Sequence, residues 1–305
     1  MLLVPAWLIM GIIAFTLIRL IPGDPAAVLL GPEATPDAVE RLSRHLGLDK
    51  PLATQFIIWL GQIVRGEFGK SYFLAEPVLQ AIVRRLPVTL SLASFSLCCA
   101  VLLGVPAGLR AATRPNSSTD LGIMAVSVIG LSIPDFAMGL ALMYLFGVAF
   151  QWLPISDYVP FTVSVGGWAV HLVMPAFSLG IVQAALIARI TRSSMLEILG
   201  MDYVRTARAK GVAEPRVIHV HAFRNALIQV LTVVGNAAAI LLGGAFVIET
   251  VFNLPGVGNL VVMAVKRRDY PLVQGCIVLI STVVIVVNLI VDVLYAYIDP
   301  QVRYG

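Results

Sequence analysis

Residues 87–109 contain no Asp, Glu, Lys, Arg or His. A helix of about 20 such residues spans the hydrocarbon core of a bilayer. Five further stretches are nearly as apolar, each with only one or two such residues: 2–21 (Arg19), 121–150 (Asp135), 171–190 (His171 and Arg189), 227–251 (Glu249) and 274–298 (Asp292). In hydrocarbon, backbone N–H and C=O groups must be satisfied internally, which makes the helix the answer for separate apolar runs of this length. The expectation is an all-α membrane protein with six transmembrane helices. Composition agrees, with 59% hydrophobic and only 12% charged residues and a mean hydropathy of +0.92. Soluble domains carry about 25% charged residues, and half that leaves too little charge to cover a water-facing surface.

The first run, 2–21, competes with a signal peptide. It has no basic leader, an over-long core and no small-x-small cleavage site, so it is expected to be a membrane helix. Pro22, Gly23, Asp24 and Pro25 then end it, because Pro cannot continue a helix and forces extended geometry on the residue before it. Residues 22–86 are the longest part without a span. Thr35 and Pro36 read as an N-cap and a first-turn Pro opening an amphipathic helix to about Leu46. A second, shorter apolar helix is expected over 52–64 and a third over 77–86. Acids and bases balance at seven each over 22–86, which suits the outer face.

Gly69-Lys70-Ser71 resembles the end of a phosphate loop. The first glycine of that pattern is missing, since position 64 is Val, so a turn is expected instead. Pro134 interrupts the 121–150 run beside Asp135. A kink there would free backbone carbonyls, tolerated where they face protein or a cavity, so a plain kink and a pathway role both stand. Trp152, Tyr158 and Trp168 are placed like interfacial aromatics. Cys98, Cys99 and Cys276 lie in apolar runs and read as small buried hydrophobes.

Charge orients the bundle. Residues 189–224 carry Lys or Arg at 189, 192, 205, 208, 210, 216 and 224 against acids at 197, 202 and 214. The 110–120 loop adds Arg110 and Arg114 against Asp120. Both loops fall on one side, which the positive-inside rule makes the cytoplasm, with both chain termini there too. Lys266, Arg267 and Arg268 fall outside and oppose the rule. The net charge of +4 is explained by these span-flanking residues, and no nucleic-acid partner is expected.

Residues 197–227 form the most polar long run in the second half. Asp202 is expected to cap a helix from Tyr203 to Lys210, Gly211 to end it, and Pro215 to open the next helix at its first turn. Physics alone leaves two roles open for this helix–glycine–helix: a basic surface loop that sets topology and touches anionic lipid, or a docking element for a cytoplasmic partner.

The motifs then add a resemblance. Arg205-Thr206-Ala207, three further residues and Gly211 resemble the "EAA" loop of binding-protein-dependent ABC importer permeases, without Glu in the first slot. The wider DYVRTARAKG and HAFRNAL runs, with the segments at 20–25, 46–51, 191–195, 249–258 and 268–275, are similar to the dipeptide/oligopeptide/nickel branch, in particular its "B"-type subunit. Two departures are Gln229, where the branch commonly has Pro, and the absence of a basic cluster before the first span.

The resemblance implies a type I importer (MetI-like) permease fold in a bacterial inner membrane. It implies a first helix at 1–21, an extracytoplasmic helical insert at 22–86, and a five-helix core at 87–305 with a coupling loop at 191–225. It implies a homologous second permease, two cytoplasmic ATPases that bind ATP and Mg, and an outer substrate-binding protein delivering di- or oligopeptides. Nickel chelates, glutathione or opines are the alternative cargo. Tyr203, Val204, Arg205, Thr206, Ala207, Arg208, Ala209, Lys210 and Gly211 would form the ATPase-coupling helix. The 22–86 insert and the 252–273 loop would receive the binding protein.

Polar groups in or near spans mark pathway or subunit-interface candidates: Pro134, Asp135, Asn236, Glu249, Asn288 and Asp292. Asn288 and Asp292 are four apart and share a helix face, which either lines a cavity or bonds to a partner subunit. Glu249 reads as a structural pin for the 252–273 loop. Catalysis finds no support: His219 and His221 fall on different helix faces, and no metal-protease, serine-hydrolase or complete phosphate-loop motif occurs. No cofactor or metal is expected in this chain. An ion-coupled transporter would show more membrane acids and an internal repeat.

Overall fold

The computed structural model describes residues 3–19, 27, 35–45 and 49–298. The sharp stop expected at 22–25 and the tail at 299–305 lie outside those residues. In chain order the helices are α1 (Leu3–Arg19), α2 (Pro36–His45), α3 (Leu52–Val64), α4 (Val78–Thr113), α5 (Ser118–Ser132), α6 (Asp135–Leu142), α7 (Val165–Leu199), α8 (Asp202–Ala209), α9 (Glu214–Val251), α10 (Val257–Lys266) and α11 (Tyr270–Ile298). Wide π-type turns follow α6 at Met143–Ala149 and lie inside α9 at Val217–Ala222. Among the described residues there is no strand, only a single bridge between Lys70 and Pro77.

Among the described residues α4, α7, α9 and α11 are long and apolar enough to cross a membrane, and α5 with α6 adds a fifth if that bent pair is one span. α1 is a shorter apolar helix of 17 residues. α4 has 36 residues, about 54 Å at 1.5 Å per residue, against about 30 Å of hydrocarbon. Its ends therefore project beyond the apolar layer.

The chain forms two compact units, residues 1–87 with 256–286, and residues 88–255 with 287–305. In the first unit, Val78, Ala81 and Ile82 of α4 pack with Val257, Leu260 and Ala264 of α10 and with Leu272 and Cys276 of α11. Each set repeats at three or four residues, the spacing of one helix face. A smaller cluster joins Ala14, Ile63 and Val278 beside Trp7 and Trp59, and the Trp7 indole donates to Thr282 Oγ1 at 3.0 Å. Between α3 and α4, Ser71 Oγ donates to Asp269 Oδ2 at 2.5 Å and Phe73 N to the same oxygen at 3.0 Å. Leu272 N donates to Asp269 Oδ1 at 3.3 Å. A buried carboxylate so supplied with donors staples the 69–77 turn to the α10–α11 junction.

In the second unit α7 is the central post. Gly104 and Gly108 of α4, four apart and so on one face, lie against the α7 backbone. A Cβ at Gly104 would stand 2.6 Å from the Ala184 carbonyl oxygen, and one at Gly108 2.5 Å from that of Ala188. Gly180 of α7 answers in kind, its notional Cβ 2.7 Å from the Ser96 carbonyl oxygen. Small residues are what allow membrane helices to meet at backbone distance. On α9, Gly235 receives the Val291 side chain of α11.

Five expectations change, the simplest being that Cys98 is exposed and only Cys276 of the three cysteines is fully buried. The Pro134 feature is a break: Ile133 and Pro134 are both extended (ψ 122° and 141°), and α6 leaves α5 at 101°. Pro134 supplies no N–H to α5 and holds Ile133 out of helical geometry. Next, 77–86 is no separate helix, because α4 runs unbroken through Pro87, so the expected 22–86 boundary falls inside it. Asp202 does not cap α8: the N-cap is Met201 with no side-chain bond, and Asp202 occupies the first turn, where its charge still favours the helix dipole. Finally, the 252–273 segment expected as a loop contains α10.

Candidate functional site

The second unit ends in a polar apparatus built on one apolar cluster. Val204 of α8, fully buried, packs with Ala112 of α4, Met195 and Ile198 of α7, and Val217, Ala222 and Ala226 of α9. One residue thus anchors α8, with half-buried Ala207 on the same side one turn later. Tyr203, Arg205, Thr206, Arg208, Ala209, Lys210 and Gly211 are exposed. An eight-residue helix held by a single buried residue presents most of its surface outward.

The ends of α8 are closed by hydrogen bonds. Gly211 has φ +77°, the left-handed conformation that glycine adopts without a Cβ penalty. Gly211 N donates to Arg208 O at 2.9 Å and Val212 N to Ala207 O at 3.2 Å. These are the two bonds of a Schellman ending, and its apolar contact between the flanking residues is supplied by Ala207 and Val212, both packed on the cluster. The glycine is required by backbone angle, since nothing lies within 4 Å of its notional Cβ. Arg208 forks onto Glu214 at 3.1 and 2.6 Å, bridging the turn, and that bond raises the guanidinium further above its ordinary value. Arg205 Nη1 approaches Asp202 at 3.6 Å, and Thr206 Oγ1 donates to Asp202 O. Tyr203 is tied back: its hydroxyl donates to His221 O at 3.2 Å and accepts from Asn225 Nδ2 at 2.8 Å.

The pathway candidates are not gathered at one point. Pro134 and Asp135 sit at the α5–α6 break. Asp135 Oδ1 accepts from Phe136 N at 2.8 Å, and its other oxygen faces Gly244 of α9, 3.6 Å from a notional Cβ. Glu249, five residues further along α9, is fully buried and accepts from Thr89 Oγ1 of α4 at 2.5 Å, so its side chain ties α9 to α4. Asn236 and Asn288 are exposed. Asn236 follows the glycine that receives Val291 of α11, and Asn288 precedes that valine by three residues. Asp292 lies in α11, but its side chain is outside the described residues.

Two partnerships were not anticipated. Asp120, 2% exposed at its side chain, receives Arg192 Nε at 2.5 Å and Nη2 at 2.7 Å. Ser194 Oγ donates to Gln229 Oε1, joining α7 to α9. The sequence carried a signal for the first. Ser117-x-x-Asp120 is a capping pattern, and Ser117 Oγ accepts from Asp120 N at 3.2 Å while Asp120 Oδ2 accepts from Asn116 N at 2.9 Å.

The family model for binding-protein-dependent transport system inner membrane components matches residues 104–304, and its N-terminal companion matches residues 2–93. The chain belongs to this family. The permease is 45% identical over 96% of its length to a Sinorhizobium fredii protein named as a probable peptide ABC transporter permease, and covers 94% of that protein. It is 43% identical over 99% of its length to the glutathione transport system permease protein GsiC of Escherichia coli strain K12, covering 96% of it. A chain from a structure of the MetNI methionine ABC transporter superposes with a TM-score of 0.59, 19% identity, and coverage of 71% of the permease and 95% of that chain; this shows the fold. The protein is a multi-pass inner-membrane permease subunit of an ATP-driven importer, a class that works with an ATPase and a substrate-binding protein. The ion-coupled transporter reading is set aside.

Proposed function

We propose that this permease takes up di- and oligopeptides delivered by a binding protein, pairs with a homologous second permease, and is driven by two cytoplasmic ATPases that bind the ATP and Mg. In this reading α8 with Gly211 is the coupling helix. The observation that carries it is the one-sided anchoring of an end-capped short helix: Val204 and Ala207 face the apolar cluster and Tyr203 is tied back to α9, while Arg205, Thr206, Arg208, Ala209 and Lys210 face outward for another protein. A partner's contacts must differ between two states to shift the equilibrium between them, and a small rigid helix transmits such a difference without bending.

The same reading counts six spans, with α1 as the first and α5–α6 as the broken third. The 22–86 region is then extracytoplasmic and both termini cytoplasmic. The 69–77 turn, held by Asp269 and carrying exposed Tyr72 and Phe73 beside exposed Lys266, Arg267 and Arg268, becomes the dock for the binding protein. Arg267 stands 4.6 Å over the Phe73 ring. Asn236, Asn288 and Asp292 serve the pathway or the contact with the second permease, and Glu249 holds α9 to α4.

The substrate assignment draws on relatives named for peptide and glutathione transport. Co-purifying the binding protein and identifying its ligand by mass spectrometry tests it: peptides support it, and a nickel chelate or an opine overturns it. Coupling is tested by Ala209→Cys, whose exposed position should cross-link to an ATPase subunit, with the yield changing on ATP binding. A yield of zero, with the complex intact, refutes the coupling helix.

A further inference from the structure

The Asp120–Arg192 pair adds a charged contact at the start of α5 to the apolar packing of α5 along α7, as at Gly130 against Ala185. Asp120 lies in the first turn of α5, which leads to the break at Ile133–Pro134. Arg192 lies on α7, three residues before Met195 and six before Ile198, both members of the cluster that seats Val204. The carboxylate accepts three N–H bonds, two from Arg192 and one from Asn116, and only 2% of its side-chain surface is open. Asn116 adopts φ +60° to present its N–H. The backbone of Arg192 is itself held by Gly108, whose notional Cβ would lie 3.1 Å from Arg192 N. A two-bond guanidinium–carboxylate fork fixes angle as well as distance, so α5 cannot swivel on α7 while it is closed.

Stability alone is a poor reason for such a pair, because replacing both members of a buried ion pair with apolar groups of similar volume is often neutral. What the fork supplies is a rigid joint. We propose that Asp120 and Arg192 are positioning residues that link the α7–α8 base to the broken span, so that displacement of α8 reaches α5 and α6 as one motion. This rests on the coupling role of α8, and its failure is distinguishable from the failure of that role.

The test uses the assembled complex in nanodiscs, with Cys98, Cys99 and Cys276 replaced by Ala and spin labels at exposed Leu102 of α4 and Val128 of α5. Distances are measured without nucleotide and with ATP–vanadate. The otherwise unaltered complex should show a shift. Asp120→Leu with Arg192→Met should retain the ATPases, melt within about 2 °C of the parent, and lose most of the shift. Arg192→Lys, which keeps the charge but not the fork, should retain part of it. A full shift in the double variant overturns the joint, as does no shift in the unaltered complex. If Gly211→Val abolishes the shift while the double variant keeps it, the joint alone fails. If Gly211→Val also keeps it, the coupling role of α8 fails with it.

Discussion

Substituting Gly108 with Ala tests the α4–α7 contact at its tightest point. The new methyl carbon would meet Ala188 O at 2.5 Å, Thr191 Cβ at 2.6 Å and Arg192 N at 3.1 Å. Ordinary contact between such atoms begins near 3.5 Å, so the helices must part by about 1 Å. Two of the three obstructing atoms are backbone and cannot turn aside. Overpacking costs about 1–3 kcal/mol, and backbone obstruction argues for the upper end, about 3 kcal/mol. For 305 residues, at an unfolding entropy of about 2.1 cal/mol/K per residue, that corresponds to a fall in melting temperature of roughly 5 °C. Gly243 is the matched control. It lies inside α9 with nothing within 4 Å of its notional Cβ, so Gly243→Ala should gain about 0.5–1 kcal/mol from helix propensity. Intrinsic-fluorescence melting of the two purified variants in one detergent reads the difference. A Gly108→Ala melting point within about 2 °C of the parent would refute the backbone-contact argument.

Three other outcomes are expected. Thr89→Val leaves the buried Glu249 carboxylate short of a donor and should lower stability by about 1–3 kcal/mol, visible as a lower melting point, whereas Thr89→Ser should hold close to the parent. Gly211→Asn should preserve uptake per ATP hydrolysed, since Asn tolerates left-handed geometry, while Gly211→Val meets a strain of about 1–2 kcal/mol and should raise hydrolysis relative to uptake in reconstituted vesicles. Ser71→Ala removes one donor from Asp269 and should speed proteolytic nicking of the 69–77 turn, with no change in ATPase retention.

The elements that could be read from sequence were those decided locally. Helix α3 begins and ends where its apolar run does, and Pro36 opens α2 as a first-turn proline should. The Gly211 ending was legible because a left-handed helix terminus selects glycine directly. Proline was the least reliable mark inside the membrane. At Pro87 the sequence predicts a helix start, yet α4 passes through it, while the interruption expected at Pro134 is a full break of 101°. The difference lies in the residue before each proline: Ile133 is extended ahead of Pro134, as the local rule prefers, whereas Leu86 stays helical ahead of Pro87 inside the packed length of α4. Asp120 was counted only as one charge in a loop. Its capping pattern was visible, but Arg192 is 72 positions away, and the fork exists only after α5 and α7 pack. The bond between Glu249 and Thr89, 160 positions apart, likewise exists only once α9 and α4 pack. Within the candidate site, exposure of α8 followed from composition, whereas its attachment through Val204, Ala207 and Tyr203 needed the packed cluster.

The abrupt end of α5 has a consequence for the surrounding lipid. Its 15 residues rise about 22 Å at 1.5 Å each, some 8 Å less than an ordinary hydrocarbon layer of about 30 Å. Leu121, Val126, Val128 and Ile129 are exposed along it. Where lipid rather than the second permease covers this short apolar surface, acyl chains tilt or compress to match it. Transport by the importer should therefore depend on acyl-chain length, falling as bilayers thicken, and α5 is the element through which membrane thickness would be felt.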